Sequence, residues 1–175
     1  PYRANWVFSS LLRELFRISI TGAGASLACS FGVLLVVTRN VITSVLALFT
    51  IVSVVVTVCA FIFLVGYDFG MFESILLILT IGLSVDYAVH ISHFYQMAKG
   101  SRFERAQAAM GGVGVSVLNG ALTTFTAGLP LAASVFVFFQ LFGFFIFATS
   151  FFAILYSFCL LLPLLMAVGA EGEQG

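Results

Sequence analysis

The sequence predicts an all-α integral membrane protein built as a bundle of five transmembrane helices. Of its 175 residues, 62% are hydrophobic and 8% are charged, against about 25% charged in an ordinary soluble domain. Seven basic and seven acidic side chains cannot cover the apolar surface of a soluble fold of this length. The apolar residues also fall into runs of about 20 or more, the length a helix needs to cross a hydrocarbon core of about 30 Å. The formal net charge is zero, and no dense basic stretch occurs, which argues against a nucleic-acid partner. Cys29, Cys59 and Cys159 each lie inside an apolar run without CxxC or Cys/His spacing. They read as reduced packing residues, and neither a metal nor a cofactor is expected.

The chain opens on Pro1, with no initiator methionine, and residues 1–16 (PYRANWVFSSLLRELF) lack the pattern of a signal peptide. A segment upstream is therefore expected. Residues 1–17 mix Trp6, Leu11, Leu12, Leu15 and Phe16 with Arg13, Glu14 and Arg17. That composition fits an amphipathic juxtamembrane helix, or a simple helical extension of the first span. Five spans follow within residues 18–168: 18–37, closed by TRN; 41–65, closed by GYDFG; 72–97, ending at AKGSR; 107–129, ending at Pro130; and 134–162, with Pro163 before a last apolar stub. Residues 169–175 form an acidic tail. Phenylalanine crowds the fifth span (FVFFQLFGFF), which suggests a peripheral, lipid-facing helix.

Five spans put Arg39, Lys99, Arg102 and Arg105 on one side with the C-terminus, and Arg3, Arg13 and Arg17 on the other. The short basic loops place the C-terminus in the cytoplasm.

The third span contains GLSVDYAVHISH, residues 82–93. At about 100° per residue, Gly82, Asp86, His90 and His93 fall in one sector of about 80°. An ionised aspartate at mid-bilayer costs roughly 2.5–3.5 kcal/mol on insertion scales, so such a residue faces a bundle interior or a water path and marks an ion or proton relay. His90 lies one turn from Asp86, and histidine changes charge near neutrality; Tyr87 borders the stripe. The bland alternative is an Asp neutralised by protonation and bonded to a neighbouring helix. His93 lies nearer the cytoplasmic end, where it can simply reach headgroups. On the fourth span Ala108, Gly112, Ser116 and Gly120 recur every four residues as a small-residue packing ridge, and Gly82 joins it from the third. Ser116, Asn119, Thr123 and Thr126 form a polar stripe beside it, with Asn119 or Thr123 expected to hydrogen-bond Asp86. Helix packing without function explains the same residues equally well. Ser84 and His90 lie about 240° apart on one helix and form no nucleophile–base pair. Asp86, His90 and His93 lack an HExxH arrangement for a metal. No enzyme is expected.

The stretch from Ile81 to Gly128, IGLSVDYAVHISHFYQMAKGSRFERAQAAMGGVGVSVLNGALTTFTAG, resembles the second-half membrane region of the resistance-nodulation-division (RND) superfamily. The Patched, Dispatched and Niemann-Pick C1 branch, with sterol-sensing-type helices, is most similar. Its Gly-x-x-x-acidic signature with a histidine one turn later matches Gly82, Asp86 and His90, and the pair Asp86–Tyr87 resembles that of mycolate-lipid exporters. The resemblance implies that the five spans are helices eight to twelve of one half of a transporter. It implies movement of a lipid or sterol-type substrate, driven by a proton or sodium gradient read at Asp86 with His90 and Tyr87. The opposing N-terminal half would supply a second acid, so the five spans alone should not transport. The rival reading is a sterol-responsive receptor or scaffold of the same fold, partnered by membrane lipids or sterol without ion coupling.

Overall fold

The computed structural model describes residues 2–66 and 71–169. Most of the GYDFG turn and all but the first residue of the tail lie outside the described residues. Among those described, the regular elements are helical: α1 (Tyr2–Thr38), α2 (Val41–Val65), α3 (Met71–Met97), α4 (Arg102–Ala132), α5 (Val137–Tyr156), a π turn (Ser157–Leu161) and α6 (Leu162–Val168). Five helical stretches are long and apolar enough to cross a membrane, the last running from α5 through α6.

Local chemistry sets the ends. Asn40 caps α2, its Oδ1 accepting from the Ile42 and Thr43 amides at 3.0 and 3.3 Å. Gly66 closes α2 at φ 89°, a left-handed conformation that glycine adopts without penalty. Ser101 and Glu104 form a reciprocal capping box, with the Ser101 amide donating to Glu104 Oε2 at 2.8 Å. This box starts α4 at Arg102, five residues before the apolar run, and so draws Arg105 into the helix.

Neither proline breaks its helix as expected. Pro130 removes one N–H from the ladder, but the Ala133 amide bonds Leu129 O at 3.0 Å and α4 continues to Ala132. Ahead of Pro163, the Leu162 amide reaches Ser157 O, an i to i−5 bond. That wider turn accommodates the missing donor and the ring, so the helical path runs on to Val168. At the other end, α1 is continuous from Tyr2, with no break near residue 17. Side chains of residues 2–9, 11, 12 and 16 lie outside the description, and with them most of the proposed amphipathic face; Arg13, Glu14 and Arg17 are exposed.

α3 is the hub, touching α1, α2, α4 and α5. Leu34, Ile51, Ile81, Ile91, Tyr95 and Leu161 anchor one core cluster. Val54, Val58, Leu76, Val113 and Phe145 anchor a second. The phenylalanine-rich α5 packs on α4, α3 and α2, while its Phe138, Phe139, Phe147 and Phe151 remain exposed, as on a lipid-facing helix. Its rings find aromatic partners, Phe144 stacking on Phe61 at 5.6 Å and Phe147 meeting Phe125 edge-on at 5.0 Å. Two glycines bring α4 and α5 into backbone contact, since a Cβ on Gly143 would lie 2.7 Å from Gly128 O. That close approach, rather than ring composition, decides where α5 sits. Hydroxyl pairs add registry, the buried Thr80 with Thr149 at 3.1 Å and the part-buried Thr57 with Tyr156 at 2.8 Å. The cysteines are free, and Cys29 and Cys159 are exposed on outer helix faces instead of packed in the core.

Candidate intramembrane site

Although four helices surround α3, one line along it stays uncovered. Ile75, Leu79, Gly82, Asp86, His90, Phe94 and Met97 are exposed and recur at the three- and four-residue spacing of a single helix face. Asp86 therefore stands on the one open face of the most enclosed helix. Asp86 and His90 line a groove of about 350 Å³ between α3 and α4, whose walls include Tyr87, Ser116, Gly120 and Thr124. Liquid water takes about 30 Å³ per molecule, so the groove is large enough for an ion with several waters. Tyr87 is buried in the second core cluster while one side of it reaches the groove.

The structure divides the other candidates. Asn119 and Thr123 are exposed on the adjoining face of α4, outside the groove lining. Thr123 Oγ1 donates to Gly120 O at 2.7 Å, and none of the hydrogen bonds among the described residues joins Asn119 or Thr123 to Asp86. The hydroxyl that does line the groove belongs to Thr124, which donates to the same carbonyl at 3.0 Å. Its signal was available: Thr124 lies four residues after Gly120 and continues the ridge of Ser116 and Gly120. His93 is half-buried, lies outside the groove lining, and its Nδ1 has no hydrogen-bond partner. Ser84 is buried, its hydroxyl donating to Thr80 O at 2.7 Å.

Of the glycines assigned to packing, only Gly112 meets the facing helix. A Cβ there would lie 3.4 Å from Phe94, whereas one on Gly82 or Gly120 would meet nothing within 4 Å. The buried ridge of α4 is instead Ala106, Ala109, Val113, Val117 and Ala121. The more apolar face turns inward, and the small-residue ridge borders the groove.

One polar cluster was missed. Arg105 is 2% exposed. Its Nε donates to Tyr95 O at 3.0 Å, its Nη2 to Gln96 Oε1 at 2.9 Å, and its guanidinium lies 4.4 Å over the Tyr95 ring. The Tyr95 hydroxyl donates to Leu165 O at 3.0 Å and Arg102 to Ala167 O at 3.1 Å. Gln96 Nε2 donates to the buried Thr43. This cluster ties α2, α3, α4 and α6 together at the end of the bundle that carries the basic loops. Read as a loop residue, Arg105 gave no hint of burial; its four-residue spacing to Ala109 and Val113 places it on their face. Tyr95 lies nine residues from Asp86, so the carboxylate sits about 14 Å along α3 from the cluster, at a rise of about 1.5 Å per residue. That is close to the middle of a hydrocarbon core of about 30 Å.

A five-span helical bundle with a carboxylate and a histidine on an open intramembrane face defines a multi-pass membrane protein with a polar site inside the bilayer. The chain belongs to the MMPL family, whose model matches residues 15–173. It is 31% identical to human Protein dispatched homolog 1 over 132 residues, 75% of this chain and 9% of that protein. Zebrafish (Danio rerio) Protein patched homolog 1 is 30% identical over 163 residues, 93% of this chain and 13% of that protein. Pig (Sus scrofa) NPC intracellular cholesterol transporter 1 is 29% identical over 147 residues, 82% of this chain and 12% of that protein. The chain thus spans about a tenth of the length of the curated relatives it matches.

Proposed function

We propose that the chain is the C-terminal membrane half of a Patched- or Dispatched-like transporter that moves a lipid or sterol-type substrate using a proton or sodium gradient. Asp86 binds the ion, with His90 one turn away and Tyr87 and Ser116 shaping the groove; Asn119 and Thr123 flank it. The observation that carries this reading is the position of Asp86. A carboxylate near mid-bilayer, on the open face of the hub helix, is costly to insert and is expected where an ion must bind. The name of the pig relative specifies cholesterol, which supports the sterol class. The opposing N-terminal half supplies the other side of the site, so the chain alone does not transport. The basic loops and C-terminus face the cytoplasm, and the chain performs no enzymatic chemistry.

The test is Asp86→Asn in the complete protein, reconstituted in vesicles under an imposed proton or sodium gradient. Gradient-driven export of a labelled sterol or lipid falls to the protein-free rate while abundance and elution profile are unchanged. Flux at the wild-type rate overturns the ion role of Asp86. Sterol-dependent conformational change that survives without any ion dependence in the unmodified protein identifies a receptor instead.

A further inference from the structure

The groove beside Asp86 ends where its two walls touch. On α3 the lining follows one helix face through Asp86, Tyr87 and His90, and the next position on that face is Phe94, one turn beyond His90. On α4 the lining descends through Gly120 and Ser116, and the next position on that ridge is Gly112. Phe94 and Gly112 lie outside the lining and meet each other. A Cβ on Gly112 would lie 3.4 Å from Phe94 Cδ1 and 3.5 Å from its Cε1. Because glycine has no side chain, the ring reaches the α4 backbone itself. Elsewhere along the groove the same residue type does something different. A Cβ on Gly82 or Gly120 would meet nothing within 4 Å, so those glycines leave space, whereas the space at Gly112 is filled by a ring.

The surroundings of the ring are fixed. His93 meets it edge-on, with centroids 6.1 Å apart and planes at 89°, a geometry that aromatic pairs favour. That contact gives His93, which lies outside the groove, a place in the same arrangement. One residue further on, Tyr95 O accepts from Arg105 and holds α4 against α3, and Ala106 and Ala109 are buried beside it. The helices cannot part at this level while the guanidinium keeps its bonds, so the Phe94 side chain is the movable part. Beyond Gly112 the ridge continues with Ala108, small and exposed. Once the ring is displaced, no large side chain of that ridge stands between Ser116 and the basic loops.

We infer that Phe94, seated on Gly112, is the gate between the groove and the basic-loop side of the membrane. It lies eight residues from Asp86, about 12 Å at the helical rise, and so within the half of the hydrocarbon core nearer those loops. An apolar constriction stops ions by excluding water. With the ring on the glycine, neither passes between Asp86 and the basic-loop side; rotation of the ring off Gly112 opens the path. The purpose of the gate rests on the reading of Asp86 as an ion site, but the seal itself is a property of the contact.

The test is sided thiol labelling of the complete protein in vesicles with the basic loops outward. Ser116→Cys, with the other cysteines replaced by serine, places a thiol in the groove, and a membrane-impermeant cationic methanethiosulfonate is added outside. Phe94→Ala removes the ring; Phe94 is 37% exposed, so the change opens no core cavity. A gate closed for about nine-tenths of the time or more predicts that Phe94→Ala speeds labelling at least about tenfold. Phe94→Leu keeps apolar bulk over Gly112 and is expected to label at a rate near that of the unmodified ring. Equal rates with phenylalanine and alanine, fast or slow, overturn the gate. A leucine variant as fast as the alanine variant overturns it equally. The readout is access to a thiol rather than transport, so a failure here leaves the role of Asp86 standing, and a failure of that role leaves the labelling difference in place.

Discussion

Replacing Arg105 by methionine removes two donors and a cation while keeping much of the side-chain volume. Hydrogen bonds from a charged group contribute about 1.5–3 kcal/mol each, and Arg105 makes at least two, to Tyr95 O and Gln96 Oε1. Its stacking over Tyr95 at 4.4 Å adds about 0.5–2 kcal/mol. The dehydration of a guanidinium offsets part of this sum, so the net loss follows from what stays behind. A buried carbonyl and a part-buried amide lose their donors, and each acceptor left unsatisfied costs about 1–3 kcal/mol. We expect Arg105→Met to destabilise the bundle by about 4 kcal/mol, close to a thousandfold in the folding equilibrium at about 1.4 kcal/mol per tenfold. Arg105→Lys keeps the charge, but its compact ammonium does not reproduce the fork that serves both acceptors, so its loss is intermediate. Reversible unfolding in bicelles, followed by steric trapping with a label on α6 and another on α2, reads these differences. A methionine variant as stable as wild type refutes the clamp. A lysine variant less stable than methionine shows that charge burial, not donor geometry, governs the position.

The α4–α5 crossing gives a contrast between two kinds of glycine. Gly143→Ala places a Cβ 2.7 Å from Gly128 O and 2.8 Å from Leu131 C, backbone atoms that cannot swing away, and should cost about 1–3 kcal/mol in the same unfolding assay. Gly120→Ala enters open space and should be neutral or stabilise by up to about 1 kcal/mol through helix propensity; equal losses at both positions would show that the crossing is not the constraint. For the buried pair Thr80 and Thr149, each single valine should lose about 1 kcal/mol, while the double variant loses less than the sum because no orphaned hydroxyl remains. Strict additivity in that cycle would mean that the hydroxyls do not interact.

Apolar run length made the five spans legible, because a bilayer demands it irrespective of tertiary detail. The stripe of Gly82, Asp86 and His90 was equally legible, since all three lie on one helix and the helical period alone fixes their common face. What crossed between helices was not. The polar stripe of α4 pointed to Ser116, Asn119 and Thr123, yet of these the groove is lined by Ser116, with Thr124 one step round the helix from Thr123. That rotation is decided by Ala106, Ala109, Val113 and Val117 competing for the interior, which a single helix cannot disclose. Aromatic composition pointed to the exposed rings of α5 but not to its seat on α4, which two small residues, Gly128 and Gly143, set by allowing backbones to touch. The prolines misled because their effect depends on whether neighbouring turns can adjust, as the π turn before Pro163 does.

The basic cluster bears on how the site in mid-membrane holds its shape. Arg105 fixes α4 to the Tyr95 carbonyl of α3, and Tyr95 and Arg102 fix the end of α6 to the same place. From that junction Asp86 is nine residues up α3 and Ser116 eleven residues up α4, about 14 and 17 Å at the helical rise. The two arms of the groove are therefore measured from one origin. Sliding α4 by a single turn would move Ser116 about 5.4 Å and bring Gly112 or Gly120 opposite the carboxylate, and it cannot happen while the guanidinium keeps its bonds. Gly112 against Phe94 is a second contact between the junction and the groove that resists the same slide. A change in what Asp86 faces must then come from the open side of α3, where none of the described helices is packed, rather than from a shift between α3 and α4.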